Sequence, residues 1–185
     1  MSNNQPTWNF SPYDPGFPRR APNELTPARK AAVAFENQVR TKPVEHGALF
    51  RSDGSLLQDR VGTVNRVTFS DDVLKAASGC LFTHNHPGGF TISNDDVLLA
   101  QIFGMSEVRV VTDKFRFMLR PDGSWPSRPA IVSAYRSERR RADADAHGAV
   151  DSGEVPFSCA QWEIEHRLLE LVARKLHMHY DREVS

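Results

Sequence analysis

The run Cys80-Leu81-Phe82-Thr83-His84 is continuously apolar until it meets a histidine, and it lies between the breakers Gly79 and Pro87. Such a run reads as a buried strand. Upstream, Ser70 can cap a short helix from Asp71 to Ser78 that Gly79 ends; downstream, Ser93 opens a helix through Val97, Leu98, Leu99, Ile102 and Phe103 that Gly104 closes. A buried strand held between two helices already restricts the fold to classes that layer helices on a sheet.

The flanking segments extend the pattern. Thr26 and Pro27 supply an N-cap and an N1 proline for a helix from Ala28 to Arg40. Val44 to Phe50 and Leu56 to Val61 form a predicted hairpin around the turn signal Arg51-Ser52-Asp53-Gly54-Ser55. Val64 to Phe69 alternates as a further strand would, and Glu107 to Thr112 and Phe115 to Arg120 pair across a short turn. Strand and helix alternate throughout, which predicts one mixed-sheet α/β domain flanked by helices over residues 28–128. With 185 residues the chain can bury one core of ordinary size and carry appendages. Six of its 12 prolines fall in residues 1–27, interleaved with Trp8, Phe10, Tyr13 and Phe17, so that stretch reads as an extended arm lying on its own domain or on a partner. Residues 129–185 read as a helical C-terminal extension with a linker at 142–158, rich in Ala, Asp, Gly and Ser. Its last helix, residues 160–180, carries Trp162, Leu169, Val172 and Leu176 on one side, a face for its own core, a partner or a second copy of the chain.

The bulk numbers exclude more than they assign. The 23 basic residues balance 23 acidic ones, and no apolar stretch approaches the ~20 residues that span a bilayer, which argues against nucleic acid and membrane as partners. Arg139 to Arg141 is a short basic run flanked by acids, the pattern of a solvated helix end. Cys80 and Cys159 form no C-x-x-C and no disulfide framework. Together with a start that lacks a cleavable leader, this fits a cytoplasmic protein, with signal-independent export as an effector left open.

Chemistry concentrates in Thr83-His84-Asn85-His86-Pro87 and Ser93-Asn94-Asp95-Asp96. Histidines two apart at a strand end project from one face and can converge on one ion. Gly88 and Gly89 fold the chain back, and Asp96 arrives in the first turn of a helix. Two imidazoles and a carboxylate suit zinc and leave a fourth position for water, whose pKa on the ion falls to ~7. By spacing alone, Ser-x-x-Asp is equally a capping box, and the segment fits either a metal site or a capped helix after a His-rich turn. His177 and His179 repeat the His-x-His spacing, but on a helix they point ~200° apart.

At these residues the chain resembles the JAMM or MPN-type zinc metalloproteases, whose motif is His-x-His-Pro, a short loop and Ser-x-x-Asp, with a glutamate on an earlier strand. Asn85 between the histidines is similar to the bacterial RadC-like branch. The resemblance covers roughly residues 44–125 and implies a JAB/MPN-like, cytidine-deaminase-like architecture. It implies one zinc per chain on His84, His86 and Asp96, with Ser93 hydrogen-bonded to the tetrahedral intermediate. The loop from His86 to Asp96 is one residue shorter than is usual in the family, and Asp95 is a neighbouring carboxylate. The general base is Glu45 by position, with Glu36 and Glu24 as rivals. The expected function is hydrolysis of an amide bond in a protein or peptide, including a ubiquitin-like conjugate. The alternative is a RadC-like or scaffold module, beside nucleic acid or within a larger assembly, that keeps the fold and only binds.

Overall fold

The computed structural model describes residues 11–184, so Trp8 and Phe10 of the arm lie outside the described residues. Helix α1 (Pro27–Val39) starts where Thr26 accepts a hydrogen bond from Arg29 N and proline takes the first turn. The hairpin β1 (His46–Phe50) and β2 (Leu56–Val61) follows, then the short α2 (Asp71–Lys75), β3 (Leu81–Asn85), α3 (Asn94–Ile102), β4 (Glu107–Val111) and β5 (Phe115–Pro121). Helices α4 (Arg128–Asp151) and α5 (Ala160–Lys175) and strand β6 (Met178–Val184) complete the chain. The six strands form one mixed sheet in the order β2-β1-β3-β4-β5-β6. Only β3 and β4 pair in parallel, with α3 as the crossover between them. This is an α/β fold with helices on both faces, as alternating strand and helix patterns predict.

Side-chain alternation sends each strand to two unlike layers. One face carries Leu49, Phe82, Val108, Val110, Phe117 and Leu119 into the main core, beneath α3, α4 and α5. The opposite face meets α1 with Ala48, Phe50 and Leu81, and further along with a buried ionic cluster of Glu36, Glu107, Arg109 and Arg116.

Three segments depart from expectation. Residues 142–158 are not a linker: α4 continues to Asp151, and only a short connection precedes α5. Ala142, Ala146 and Ala149 recur at helical spacing and are buried, so small side chains that read as linker composition are what lets α4 pack closely in the core. The last helix stops at Lys175 because His177 takes a left-handed conformation (φ 54°), after which β6 pairs antiparallel with β5 along its whole length. Residues 129–184 therefore belong to the same sheet and core as residues 28–128, and do not form an appendage. Val64 to Phe69 is not a strand. At Gly62 the chain folds back so tightly that a Cβ would stand 2.0 Å from Arg66 O, with Thr63 N bonded to Arg66 O at 2.8 Å, and the segment leaves the ladder.

Within the arm, Tyr13 is 5% exposed, packs edge-on against Phe115 and donates from Oη to Glu163 at 2.9 Å. Residues 11–26 thus lie on their own domain at Tyr13. Among the described residues no helix is long and apolar enough to cross a membrane.

Candidate metal centre

The antiparallel pairing of β1 with β3 sets Gly47 opposite His84. The β1–β3 ladder ends at that pair, and Glu45, two residues before Gly47, and His86, two residues after His84, lie just beyond their strands. The strand geometry persists there, since Glu45 N donates to Thr63 O and Gly62 N to Glu45 O, both at 2.7 Å. At Gly47 a Cβ would come within 2.9 Å of Val67 Cγ1, so a larger residue there would displace the Val67 side chain. Asn85, between the histidines, faces the other way. Its Oδ1 accepts from His46 N at 2.7 Å, and its Nδ2 donates to Lys42 O (3.2 Å) and Val44 O (3.1 Å). It thereby ties the loop that delivers Glu45 to the strand end that carries the histidines, a role that spacing alone does not reveal.

Asp96 arrives from the start of α3. Ser93 Oγ accepts from Asp96 N at 3.2 Å, while Asp96 Oδ2 accepts from Ser93 N at 2.8 Å and from the Ser93 hydroxyl at 2.6 Å. The capping box and the site are one construction, because gripping Oδ2 leaves Oδ1 facing His84 Nε2 at 3.4 Å. The Ser93 proton is thereby committed to Asp96, and in this arrangement it is not offered to a substrate.

The donor atoms converge. His86 Nδ1 lies 3.1 Å from both Phe90 O and Thr91 O; carbonyls only accept, so Nδ1 carries the hydrogen and Nε2 keeps its lone pair. His86 Nε2 stands 2.8 Å from His84 Nε2, 3.7 Å from Asp96 Oδ2 and 3.9 Å from Glu45 Oε1. One donor atom each of Glu45, His84 and His86 lies within 4.8 Å of the others. Ligands at ~2.0–2.1 Å from a tetrahedral zinc stand ~3.4 Å apart; Asp96 comes near that spacing with Oδ1 toward His84 and with Oδ2, which Ser93 grips, toward His86, and the imidazole pair is somewhat closer. Either carboxylate could complete the set. Asp96 stands nearer to each imidazole, with a different oxygen toward each, while Glu45 is the carboxylate that offers one atom to both. The His84 ring is stacked on Phe82 (4.7 Å between centroids, 10° between planes), and its buried Nδ1 has no hydrogen-bond partner among the described residues.

Electrostatics sort the four groups. Burial and the neighbouring His84 push His86 down to about 4, so it is a neutral imidazole at ordinary pH. Burial also works against the His84 cation, but the Asp96 and Glu45 carboxylates outweigh it and raise its pKa. For Asp96, burial favours the proton, yet the two imidazoles and the Ser93 hydrogen bond prevail and hold the carboxyl well below the usual range. Glu45 goes the opposite way: burial, with Asp96 adding to it, raises its pKa despite His84.

The loop from His86 to Asp96 is braced from the C-terminal part of the chain. Trp162 Nε1 donates to Gly88 O at 2.9 Å, and its indole covers Gly89 (φ 82°) so closely that a Cβ there would stand 2.9 Å from the ring. Thr91 Oγ1 meets Tyr180 Oη at 3.0 Å, and that hydroxyl also bonds His166 Nδ1 at 2.8 Å. Trp162 reads from sequence as one member of an apolar helix face, and nothing local in α5 signals its reach to the loop.

The rival glutamates lie elsewhere. Glu36 is fully buried on the α1 face and accepts from Thr83, Arg109 and Arg116. Glu24 is exposed ahead of α1, whose first turn reaches Glu107 at the start of β4, the sheet end opposite His84. His179 is exposed on β6 and faces Asp122, and Arg139 and Arg141 pair with acids one helical turn away. Glu45, His86, Ser93 and Asp96 line an open cleft of about 580 Å³. Compared with models of known protein families and with curated proteins, the chain matches none, so the site stands on its own geometry.

Proposed function

We propose that this protein is a zinc-dependent peptidase or isopeptidase in which His84, His86 and Asp96 hold the metal and Glu45 carries the proton. One observation carries the reading: donor atoms from two strands and a helix N-terminus gather on the wall of an open cleft. Two imidazoles and one carboxylate form a three-ligand set, the number that leaves a zinc position open for chemistry. Zinc held there would polarise an amide carbonyl and lower the pKa of a coordinated water to ~7. Glu45 takes a proton from the attacking water and passes it to the leaving amine; the C–N bond breaks, and the water oxygen remains in the carboxylate product. Ser93 first holds Asp96 in place, and its hydroxyl must turn from Oδ2 before it can meet an oxyanion. The mixed sheet with a helical crossover from β3 to β4 is consistent with a JAB/MPN-like architecture. The substrate class is a protein or peptide.

Purified protein is expected to bind about one zinc per chain by elemental analysis. His84→Ala combined with His86→Ala should lose the metal and keep the circular dichroism of the wild type. Full occupancy in the double variant sinks the ligand set, and a zinc-loaded wild type that cleaves nothing in a broad peptide and conjugate panel favours the binding-module reading.

Trp162→Ala should weaken zinc binding on the order of 10-fold in chelator competition, because the loop between two ligands loses its brace. Trp162→Phe, which keeps a ring over Gly89, should recover part of that loss. Unchanged affinity in Trp162→Ala would show that the loop holds its shape without the indole.

A further inference from the structure

The cleft beside the metal centre is two-sided in character. Glu45, His86, Ser93 and Asp96 line it together with the apolar Val67, Phe69, Leu74, Phe82 and Leu99, and Asn65, Arg66 and Asp95 add polar surface. Phe69 and Phe82 are buried in the core and meet edge to face at 5.9 Å, so the floor is rigid. Val64 and Phe90, 64% and 39% exposed, stand at the rim, as large apolar side chains that the fold itself leaves uncovered. The segment that turns away from the ladder at Gly62 lines one side of this cleft.

A second hollow of about 320 Å³ lies across Pro87 and Gly88, which line both. Lys42, Lys114 and Trp162 border it. The two hollows flank the loop that carries His86, so an extended chain lying over that loop would enter both. What enters the larger one comes to rest against apolar carbon, with its backbone beside Glu45. A glycine there would leave the wall without a partner, whereas a leucine or phenylalanine side chain would take apolar surface out of water at both contacts.

Resting on the hydrolase reading, we propose that the larger cleft is the subsite for a bulky apolar side chain adjacent to the scissile bond. The substrate is then an extended peptide segment with a large aliphatic or aromatic residue at the cut, and a diglycine tail of the ubiquitin type is a poor one. A pocket of this kind separates a large apolar residue from glycine by on the order of 10²-fold in kcat/KM.

Two measurements test this on the whole protein. In the first, methyl NMR shifts of Val67, Leu74 and Leu99 are followed while N-acetyl-leucinamide, N-acetyl-phenylalaninamide or N-acetyl-glycinamide is added. The apolar amides should shift these methyls and the glycine amide should not; absent shifts, or equal shifts for all three, overturn the subsite. In the second, the zinc-loaded protein is given a peptide library with the residues around the cut varied. Cleavage should follow large apolar residues, and Val64→Asp, a change at an exposed rim position, should reduce that preference by about 10-fold with folding unchanged. Rapid cleavage with glycine on both sides of the cut would overturn the subsite and leave the hydrolase reading standing. Binding of the apolar amides by a protein that cleaves nothing would keep the pocket and remove the hydrolase reading.

Discussion

Glu45→Gln is expected to keep its zinc and its fold and to lose on the order of 10²-fold or more in turnover of any amide the wild type cleaves. The substitution preserves size and one acceptor oxygen but removes the capacity to take a proton. Glu45 is closest to His86, at 3.9 Å, and Asp96 is nearer to both imidazoles, so the ligand set survives the change. The raised pKa of Glu45, set first by burial and then by Asp96, suits a group that must accept a proton and return it in one cycle. A pH signature follows with a definite sign. Glu45 must be ionised to act as a base, so wild-type turnover should fall as pH drops through its pKa, which burial raises and a bound zinc would lower. That limb should be missing from whatever activity the variant retains. If Glu45→Gln turns over as fast as wild type with zinc in place, the base lies elsewhere. If it loses its zinc instead, Glu45 is a ligand, and the roles of the two carboxylates are reversed.

How legible the site was depends on the range of the contacts that build it. His84, His86, Ser93 and Asp96 lie within 13 residues, and strand alternation plus one capping box bring them together, so local rules suffice. Glu45 needed one nonlocal fact, the register of β1 on β3, which hydrophobic pattern does not fix in a five-residue strand. Trp162 and Tyr180 needed the whole fold, because they reach the loop only once α5 and β6 have packed onto the sheet. The same division explains the errors of fold. Ala142, Ala146 and Ala149 look like linker residues until a partner helix exists to bury them, and Met178 to Tyr180 reads as the tail of a helix until a left-handed residue and the open edge of β5 turn it into a strand. Pattern reports what a segment can be; which neighbour completes it is settled by tertiary contact.

The second large effect belongs to Glu36, and it is expected in stability and not in catalysis. Glu36→Gln should lower the folding free energy by about 3–5 kcal/mol, the range for removing one partner of a buried ion pair. Glu36 is fully buried, and its two oxygens accept from Arg109 Nε (2.6 Å) and Nη2 (3.1 Å), Arg116 Nε (3.0 Å) and Thr83 Oγ1 (2.9 Å). Arg109 is itself fully buried, and Glu107 at 3.3 Å would remain as its other carboxylate partner. A glutamine amide in that place leaves a guanidinium short of countercharge and turns an N–H group toward donors, where water cannot enter to compensate. For a domain of this size the change corresponds to a drop in melting temperature on the order of 10 °C. The exposed Glu24→Gln should melt with the wild type. Because Thr83 points to Glu36 while its neighbour His84 points to the metal centre, one strand separates the ionic cluster from the chemistry, and the variant that remains folded should bind zinc in full. Loss of turnover in Glu36→Gln without any fall in melting temperature would transfer the role of base to Glu36 and require a different register for β1 than the one that sets Gly47 opposite His84.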